Sequence, residues 1–245
     1  MKKINVKFQK DLPYSINEAF KSLRTNLQFC GAGIRCIALT SCLPNEGKSS
    51  VTLELAKSFS EIGKRVLLID TDMRNSVLAP KYTEEVRLNG LSEYLIGRLP
   101  MEEVIYQTQK ENLDIIFSGP FPPNPVELLN STFFTELLST AREQYDYVLI
   151  DTPPLGAIID AAVVAPLCDG VILVLASDRI SHKLAAKVKK QLEGGNSKVL
   201  GVVLNMVDDK KHYHIIKYGV YRYNKYKYCD YYSVRGDRKS AAKSK

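Results

Sequence analysis

The chain has 245 residues, of which 45% are hydrophobic, and a formal net charge of +7. This length supports one well-filled core in a single domain with appended ends. No apolar run approaches the roughly 18 residues of a membrane span, and the N-terminus has no apolar leader with a cleavage site, so we expect a cytoplasmic protein, or one held at a membrane by a partner.

The positive charge is concentrated in residues 209–245, which have a balance of +8, whereas residues 1–208 have a balance of −1. The globular part therefore lacks the basic character of a nucleic-acid-binding domain. The spacing of the cysteines fits neither a zinc site nor a disulfide framework, so we expect reduced thiols. The five are Cys30, Cys36, Cys42, Cys168 and Cys229. Cys42 lies inside the predicted loop, where the alternatives are an oxidation-sensitive thiol and an inert small side chain, and we favour the inert side chain.

The first predicted element is a helix over residues 15–29, after a polar and basic segment, residues 1–14, that we expect to be flexible. Apolar residues recur at helical spacing along one face, namely Ile16, Phe20, Leu23 and Leu27. Ser15 is predicted to cap the helix, with Glu18 completing a capping box. Charged residues three positions apart occupy an exposed face, namely Glu18, Lys21 and Arg24. By themselves they indicate only a solvated surface.

The next stretch is predicted to run from a buried strand, residues 35–40, through a loop into an amphipathic helix, residues 49–62. The apolar face of this helix is formed by Val51, Leu55, Phe59 and Ile62. Gly63 follows at a position suited to end the helix. A strand that passes through such a loop into a helix is typical of a phosphate-binding site.

The loop itself has the composition of a nucleotide-binding loop. Gly47 lets the backbone close around a phosphate, Lys48 brings a positive charge to the β- and γ-phosphate oxygens, and Ser49 offers a hydroxyl to Mg²⁺. The predicted nucleotide-contacting set is Pro44, Asn45, Glu46, Gly47, Lys48, Ser49 and Ser50. Cys42 stands where the common G-x-x-x-x-G-K-[ST] pattern has its first glycine. A chance Gly-Lys-Ser at a helix start is the alternative, which the flanking strand and helix disfavour.

Two further apolar strands are predicted to end in carboxylates. Asp70 and Asp72 follow the apolar residues 66–69, and Asp151 follows residues 147–150. Strands of this kind belong to the middle of a parallel sheet, and ligands bind at the carboxyl ends of such strands. The carboxylates are therefore predicted to meet at the site, with Asp151 as a Walker B aspartate that holds Mg²⁺ directly or through water.

The remaining pattern alternates helices with strands. Helices are predicted over residues 91–97, 101–109, 132–144, 160–167 and 181–193. Strands are predicted over residues 113–117, 171–176 and 199–205. In the predicted helix over residues 132–144, the predicted buried residues are Phe133, Leu137, Leu138 and Ala141. The fold class is therefore α/β, a doubly wound and mostly parallel sheet with helices on both faces, in one domain of residues 15–208.

Asn205 ends the last predicted strand, three positions before Asp208. This spacing is similar to the base-reading N-K-x-D motif of GTPases, although Met206 replaces the lysine. Asn205 is interpreted as an adenine contact, or otherwise as a turn-capping residue.

The C-terminal segment, residues 209–245, is basic and tyrosine-rich, and it cannot bury enough apolar surface to fold alone. Its tyrosine cluster consists of Tyr213, Tyr218, Tyr221, Tyr223, Tyr226, Tyr228, Tyr231 and Tyr232. Composition alone leaves three interpretations open: an RNA-stacking tail, a membrane-surface patch or a run of phosphate acceptors.

Taken together, these motifs resemble those of the bacterial tyrosine kinases, the BY-kinases of capsule and exopolysaccharide synthesis, in the form whose cytosolic kinase is a separate chain. Residues 40–41 and 44–49 resemble the family's Walker A sequence, with Asn45 in place of a frequent glycine. Residues 70–74 resemble its Walker A′ motif, residues 151–154 its Walker B motif, and the tyrosine-rich tail its autophosphorylation cluster. Asparagine tolerates a left-handed backbone, so we expect the loop to be retained.

The resemblance implies a P-loop NTPase fold of the partition-ATPase-like group and a protein-tyrosine kinase that transfers the ATP γ-phosphoryl group, with Mg²⁺, to tail tyrosines of a neighbouring subunit. In this interpretation Lys48 contacts the β- and γ-phosphate oxygens. Ser49, Asp72 and Asp151 hold Mg²⁺ or its waters. Asp70 is the candidate acceptor of the tyrosine proton, with Asp72 as the second choice.

The resemblance also implies partners. In the family a helix bearing Glu-x-x-Arg-x-x-Arg joins subunits into a ring, described as octameric, and Glu18, Lys21 and Arg24 hold those positions here. Lys21 lacks the planar fork that an arginine offers to a carboxylate. A transmembrane chain-length regulator is expected to activate the kinase at the inner face of the cell membrane, in the control of capsule or exopolysaccharide synthesis and export. A protein-tyrosine phosphatase is expected to oppose it, and no nucleic-acid partner is expected.

Two alternative functions stay open at this point. A partition or cell-division ATPase of the same fold would carry a signature lysine early in the loop, where this chain has Leu43, and it would leave the tail tyrosines unexplained. A non-catalytic nucleic-acid-binding module that uses the basic tail would show salt-dependent RNA binding without ATP turnover.

Overall fold

The computed structural model describes residues 2–9, 12–85 and 87–208. The strands in these ranges are β1 (Lys2–Ile4), β2 (Cys36–Ser41), β3 (Val66–Asp70), β4 (Ile105–Thr108), β5 (Leu113–Ile116), β6 (Tyr147–Asp151), β7 (Gly170–Ala176) and β8 (Val199–Asn205). They form one sheet in the order β1-β4-β5-β3-β6-β2-β7-β8. Neighbouring strands are parallel except β4 and β5. The predicted α/β fold with a mostly parallel sheet is therefore confirmed.

Helices cover both faces of this sheet. They are α1 (Tyr14–Phe29), α2 (Lys48–Ser60), α3 (Leu78–Tyr82), α4 (Leu91–Leu95), α5 (Met101–Val104), α6 (Pro125–Leu129), α7 (Thr132–Gln144), α8 (Asp160–Val164) and α9 (His182–Gly194), with a 3₁₀ turn at Ala165–Leu167. Within the described ranges, no helix combines the length and the apolar character needed to cross a bilayer.

The sheet separates two hydrophobic cores. One core lies between the sheet and α1, α2 and α3, and the other lies between the sheet and the helices from α4 to α9. Successive residues of the central strands alternate between them: in β2, Ile37 and Leu39 enter the first core, whereas Cys36 and Ala38 enter the second. Because both faces are covered, these strands consist almost wholly of apolar residues.

The predicted helix over residues 101–109 is wrong beyond Val104. The chain continues there as strand β4, which pairs antiparallel with β5 and parallel with β1. Ile105 and Tyr106 are buried in this strand, and β-branched and aromatic residues favour strands where a sheet edge is available. β1 itself was not predicted, because three residues without an apolar pattern carry no sign of the partner strand. The segment that we expected to be flexible, residues 1–14, instead joins the sheet through β1 and buries Ile4 and Val6.

The buried face of α7 differs from the prediction by one residue. Phe133 is 44% exposed, whereas Phe134 is fully buried. Phe134 lies three, four and seven positions before the buried residues Leu137, Leu138 and Ala141, which is the spacing of one helix face. The rest of the prediction for this helix is confirmed.

The ends of α1 and α2 also differ from the prediction. α1 begins at Tyr14 without a side-chain cap, so the predicted Ser15 cap and its capping box are wrong. α2 ends at Ser60, and Ile62 is 43% exposed rather than part of the buried face. Gly63 has a φ of 78° and donates to the Ser60 carbonyl oxygen, which confirms its predicted role in ending the helix.

The predicted tyrosine-rich tail, residues 209–245, lies outside the described residues. The assignment of its eight tyrosines as phosphate acceptors therefore stays a prediction, as do the predicted domain limits.

Candidate active site

The loop between β2 and α2 contains two residues in the left-handed conformation. Asn45 has a φ of 64° and Gly47 a φ of 80°, in agreement with the expectation that asparagine would tolerate this backbone. A Cβ atom on Gly47 would lie 2.1 Å from Nδ2 of Asn205, so the space as well as the backbone requires glycine. α2 begins at Lys48, and the free N–H groups of its first turn form an anion-binding helix terminus.

Two polar side chains fasten this loop to the sheet. The Glu46 carboxylate accepts hydrogen bonds from the backbone N–H groups of Leu43 and Ala176, the latter at 3.0 Å. Asn205 Nδ2 donates to the Glu46 carbonyl oxygen at 2.9 Å. Asn205 therefore supports the loop backbone. This role differs from both predicted roles, the adenine contact and the turn cap. Its contact with adenine stays a prediction.

The loop lysine and the strand-end carboxylates meet, as predicted. β3 and β6 are neighbours in which Asp70 lies opposite Asp151, and β6 also pairs with β2, which leads into the loop. Lys48 Nζ lies 2.7 Å from Asp151 Oδ1, and both side chains are buried. The Thr52 hydroxyl lies 3.3 Å from the same oxygen. The site thus contains a buried ion pair between residues 103 positions apart in sequence.

Asp70 is enclosed, with 1% of its surface exposed. Its carboxyl group accepts hydrogen bonds from Ser76 Oγ at 2.5 Å and from the Asp72 backbone N–H at 3.0 Å. Burial, followed by the nearby Asp151 carboxylate, raises the pKa of Asp70 well above its usual range. Asp70 therefore holds its proton at a higher pH than an exposed aspartate does.

This raised pKa predicts a pH dependence of stability. A carboxyl group whose pKa is higher in the folded chain than in the unfolded chain binds more protons in the folded chain. The free energy of unfolding therefore falls as the pH rises between the unfolded-state and the folded-state pKa. Between about pH 5 and 7, we expect the free energy of unfolding of the wild-type protein to fall more steeply than that of Asp70→Asn, by up to about 1 kcal/mol per pH unit. Urea unfolding measures this, with Glu111→Gln at an exposed carboxyl as control. Parallel curves for wild type and Asp70→Asn would contradict the prediction.

A cavity of about 370 Å³ opens over these groups. The predicted site residues that line it are Pro44, Asn45, Glu46, Gly47, Lys48, Ser49, Ser50 and Asp72. Asp72 Oδ1 accepts a hydrogen bond from the Asn75 backbone N–H at 3.0 Å, and partial burial raises the pKa of Asp72. Asp70 and Asp151 are buried behind this lining, and Asp151 connects to the cavity through Lys48.

The oxygen atoms at this site fit a magnesium ion. Ser49 offers a hydroxyl, and Asp72 and Asp151 offer carboxylates, which are the hard ligands that Mg²⁺ prefers. Among the residues that the structure describes, no group of three or more His, Cys, Asp or Glu side chains forms a metal-binding cluster. The donor set suits an ion that is held by few protein oxygens together with phosphates and water.

Three residues that organise the site were not predicted from the sequence. Asp160, fully buried at the start of α8, accepts a hydrogen bond from Arg74 Nε at 3.0 Å, which links the chain after β3 to the chain after β6. Ser76 donates a hydrogen bond to Asp70, six positions before it, and this closeness in sequence could have identified it. Lys81 lines the cavity. No local pattern marks Asp160 or Lys81, because each acts on a residue from a distant segment.

The predicted oligomerisation residues lie on α1, and none of them lines the cavity. Glu18 and Lys21 form a surface ion pair of 2.8 Å. Arg24 instead faces α2, where it donates to the Ser58 carbonyl oxygen at 2.6 Å and to the Ser58 hydroxyl at 3.0 Å. The placement of Arg24 on an exposed face is therefore wrong, because α1 packs against α2 at this position. The role of the three residues in ring assembly stays a prediction.

Cys42, at the position of the missing first glycine, is fully buried. Burial, with a smaller contribution from the Glu46 carboxylate, raises the pKa of its thiol to about 11. A thiol with this pKa stays protonated and unreactive at neutral pH, in agreement with the inert interpretation.

A parallel sheet, a Gly-Lys-Ser loop that opens into a helix, and carboxylates at the ends of two neighbouring strands define the class of P-loop nucleotide-binding proteins. A family model described as an AAA domain matches residues 35–199. The tyrosine-protein kinase CpsD of Streptococcus agalactiae is 38% identical over 204 residues, which are 83% of this chain and 87% of that protein. This chain belongs to the bacterial tyrosine kinases and is a protein-tyrosine kinase, which confirms the resemblance drawn from its motifs.

Solved structures agree with this assignment. The kinase domain of the Escherichia coli tyrosine kinase ETK superposes with a TM-score of 0.75 at 29% identity, over 86% of this chain and 91% of that one. The septum site-determining protein MinD of Pyrococcus horikoshii, solved in complex with Mg-ADP, superposes with a TM-score of 0.58 at 26% identity, over 70% of each chain. The division ATPase thus shares the fold, and the kinase domain resembles this chain more closely.

Proposed function

We propose that this kinase transfers the γ-phosphoryl group of ATP to tyrosine hydroxyls of its own C-terminal cluster, with a neighbouring subunit as the acceptor. The observation that supports this proposal is the convergence of Lys48, Ser49, Asp72 and Asp151 at one cavity on the carboxyl edge of a parallel sheet. Phosphoryl transfer depends mainly on positioning and on charge neutralisation, and this arrangement provides groups for both.

Each group has a proposed role. Lys48 exchanges its contact with Asp151 for the β- and γ-phosphate oxygens, which frees the Asp151 carboxylate. Ser49, Asp72 and Asp151 would hold Mg²⁺ or its waters, and a bound ion would neutralise charge on the phosphates. Asp70 in its deprotonated form accepts the tyrosine proton, with Asp72 as the second candidate. The Mg-ADP complex of the relative MinD supports a magnesium nucleotide as the ligand.

The cellular setting is proposed from the family resemblance. The kinase assembles into a ring, octameric in the family, through α1, and it is recruited to the inner face of the cell membrane by a transmembrane chain-length regulator. A protein-tyrosine phosphatase reverses the modification, which regulates capsule or exopolysaccharide synthesis and export. Each phosphate would add about −1.5 to −2 charge to a segment with a balance of +8, so several phosphates would reverse its sign.

Mixing two variants tests transfer between subunits. The donor variant carries phenylalanine at all eight cluster tyrosines, and the acceptor variant carries Lys48→Met with an intact cluster. After incubation with ATP and Mg²⁺, we expect mass spectrometry to find phosphotyrosine on the acceptor only in the mixture. A wild-type chain that is modified while the mixed acceptor stays unmodified would contradict transfer between subunits. Phosphotyrosine confined to residues outside 213–232 would contradict the proposed acceptors.

A further inference from the structure

The cavity is lined by a second ammonium group besides that of Lys48. It belongs to Lys81 in α3. Lys81 Nζ donates to Oγ of Ser50 at 2.9 Å, and the Tyr82 hydroxyl donates to the same oxygen at 2.7 Å. Ser50 lies in the first turn of α2, directly after the Gly-Lys-Ser sequence, and also lines the cavity. α3 therefore holds a cation and a hydroxyl against the phosphate-binding loop.

The hydrogen bonds of Ser50 determine what it can offer to a ligand. A serine oxygen has two lone pairs and one hydrogen, and the bonds from Lys81 and Tyr82 occupy both lone pairs. The Ser50 hydrogen is then the group left for a further bond. Because Ser50 lines the cavity beside the N-terminus of α2, a ligand there meets a hydroxyl donor next to an ammonium group. This pairing favours an anionic oxygen.

The charges of the two lysines differ in their surroundings. Lys48 forms a buried ion pair with Asp151 at 2.7 Å, so its charge is compensated before a ligand arrives. The contacts of Lys81 are the Ser50 hydroxyl and the ring of Tyr82, whose centroid lies 5.0 Å from Nζ. Neither group is negatively charged. Before a ligand binds, Lys81 thus presents its positive charge to the cavity, whereas the charge of Lys48 is compensated by Asp151.

We propose that Lys81, positioned by Ser50 and Tyr82, binds a phosphate oxygen of the nucleotide as a second cation beside Lys48. This inference rests on the proposed ATP site and adds a phosphate contact to it from α3. The ligand class is a nucleoside di- or triphosphate, since an ammonium group and a hydroxyl donor recognise phosphate and not the base. A lysine on an exposed stem suits this task because its charge can follow a flexible polyphosphate.

Calorimetric titration of the full chain with ADP and Mg²⁺ tests the proposal. In Lys81→Met, which keeps the apolar stem, we expect the Kd for ADP to rise about fivefold, within the roughly three- to tenfold range of a partly exposed charge contact. The dependence of this Kd on salt should weaken. Adenosine binding should not change, and Lys81→Arg should recover most of the affinity. Lys187→Met, at an exposed lysine of α9, is the matched control.

Further variants separate a phosphate contact from other roles. In a Ser50→Ala background the effect of Lys81→Met should shrink, because the ammonium group has lost its anchor. An unchanged Kd for ADP in Lys81→Met would overturn the proposal, and a raised KM for a tyrosine peptide in the same variant would assign Lys81 to the acceptor instead. Absence of ADP binding by wild-type protein would overturn the proposed ATP site together with this inference.

Discussion

The Lys48→Met variant is expected to lose tyrosine phosphorylation by about 1,000-fold or more while it remains folded. Lys48 is the cation at the loop, and removal of one preorganised charge from a water-poor site commonly costs this much in rate. Its side chain is 8% exposed, so water cannot replace the lost ammonium group. Lys81 does not replace it either, because Lys81 lies in α3 and its ammonium group is held at the Ser50 hydroxyl, away from Asp151.

The same substitution has a second consequence for stability. It leaves the Asp151 carboxylate buried without its partner at 2.7 Å, and an unpaired buried charge is strongly destabilising. The variant should therefore lose about 3–5 kcal/mol of unfolding free energy at neutral pH.

Mass spectrometry of purified protein after incubation with ATP and Mg²⁺ measures the activity, and thermal unfolding at neutral pH measures the stability. Lys187→Met removes an exposed lysine and should change neither. Phosphotyrosine that accumulates on Lys48→Met alone at the wild-type rate would contradict the assignment of Lys48.

Gly47→Ala should weaken nucleotide binding, with a loss of affinity of about tenfold or more. An alanine at a φ of 80° is strained, at a cost of about 1–2 kcal/mol. Its Cβ would also lie 2.1 Å from Asn205 Nδ2, the atom that donates to the Glu46 carbonyl oxygen. The substitution therefore either breaks that hydrogen bond or moves the loop away from the N-terminus of α2.

A second substitution separates the two contributions. In an Asn205→Gly background the contact is removed and the backbone strain stays, so the cost of Gly47→Ala in ADP affinity should fall by about half. Gly33→Ala is the control, because Gly33 has no atom within 4 Å of the added Cβ. Equal costs of Gly47→Ala in the two backgrounds, measured by titration with ADP, would show that the contact with Asn205 does not matter.

The fold was largely predictable because its central elements are marked by local patterns. β2, β3 and β6 are uninterrupted apolar runs, since both faces of each strand are covered, and α2 follows a loop of recognisable composition. The prediction failed for β4, where a short helix and a strand follow each other without a break. It also failed for the choice between Phe133 and Phe134, although the helical spacing of Leu137, Leu138 and Ala141 favours Phe134.

Some residues of the candidate site were likewise predictable from local motifs, and others were not. Lys48, Asp70, Asp72 and Asp151 were identified because each lies in a contiguous motif at the end of a strand. Asp160 and Lys81 were not, because their partners come from other segments. The prediction placed Arg24 correctly on α1 but wrongly on an exposed face, because only the packing of α1 on α2 shows that Arg24 binds Ser58.

The sequence by itself determined the fold class, the phosphate-binding loop and the family, because backbone conformation, strand burial and motif spacing are properties of neighbouring residues. Only the tertiary structure decided that Lys48 pairs with Asp151, that Asp70 is held protonated above its usual pKa, and that Asn205 supports the loop. These features depend on distances between atoms of different strands and on their removal from water. Both arise when the strands assemble into the sheet, where electrostatic interactions are strengthened by burial.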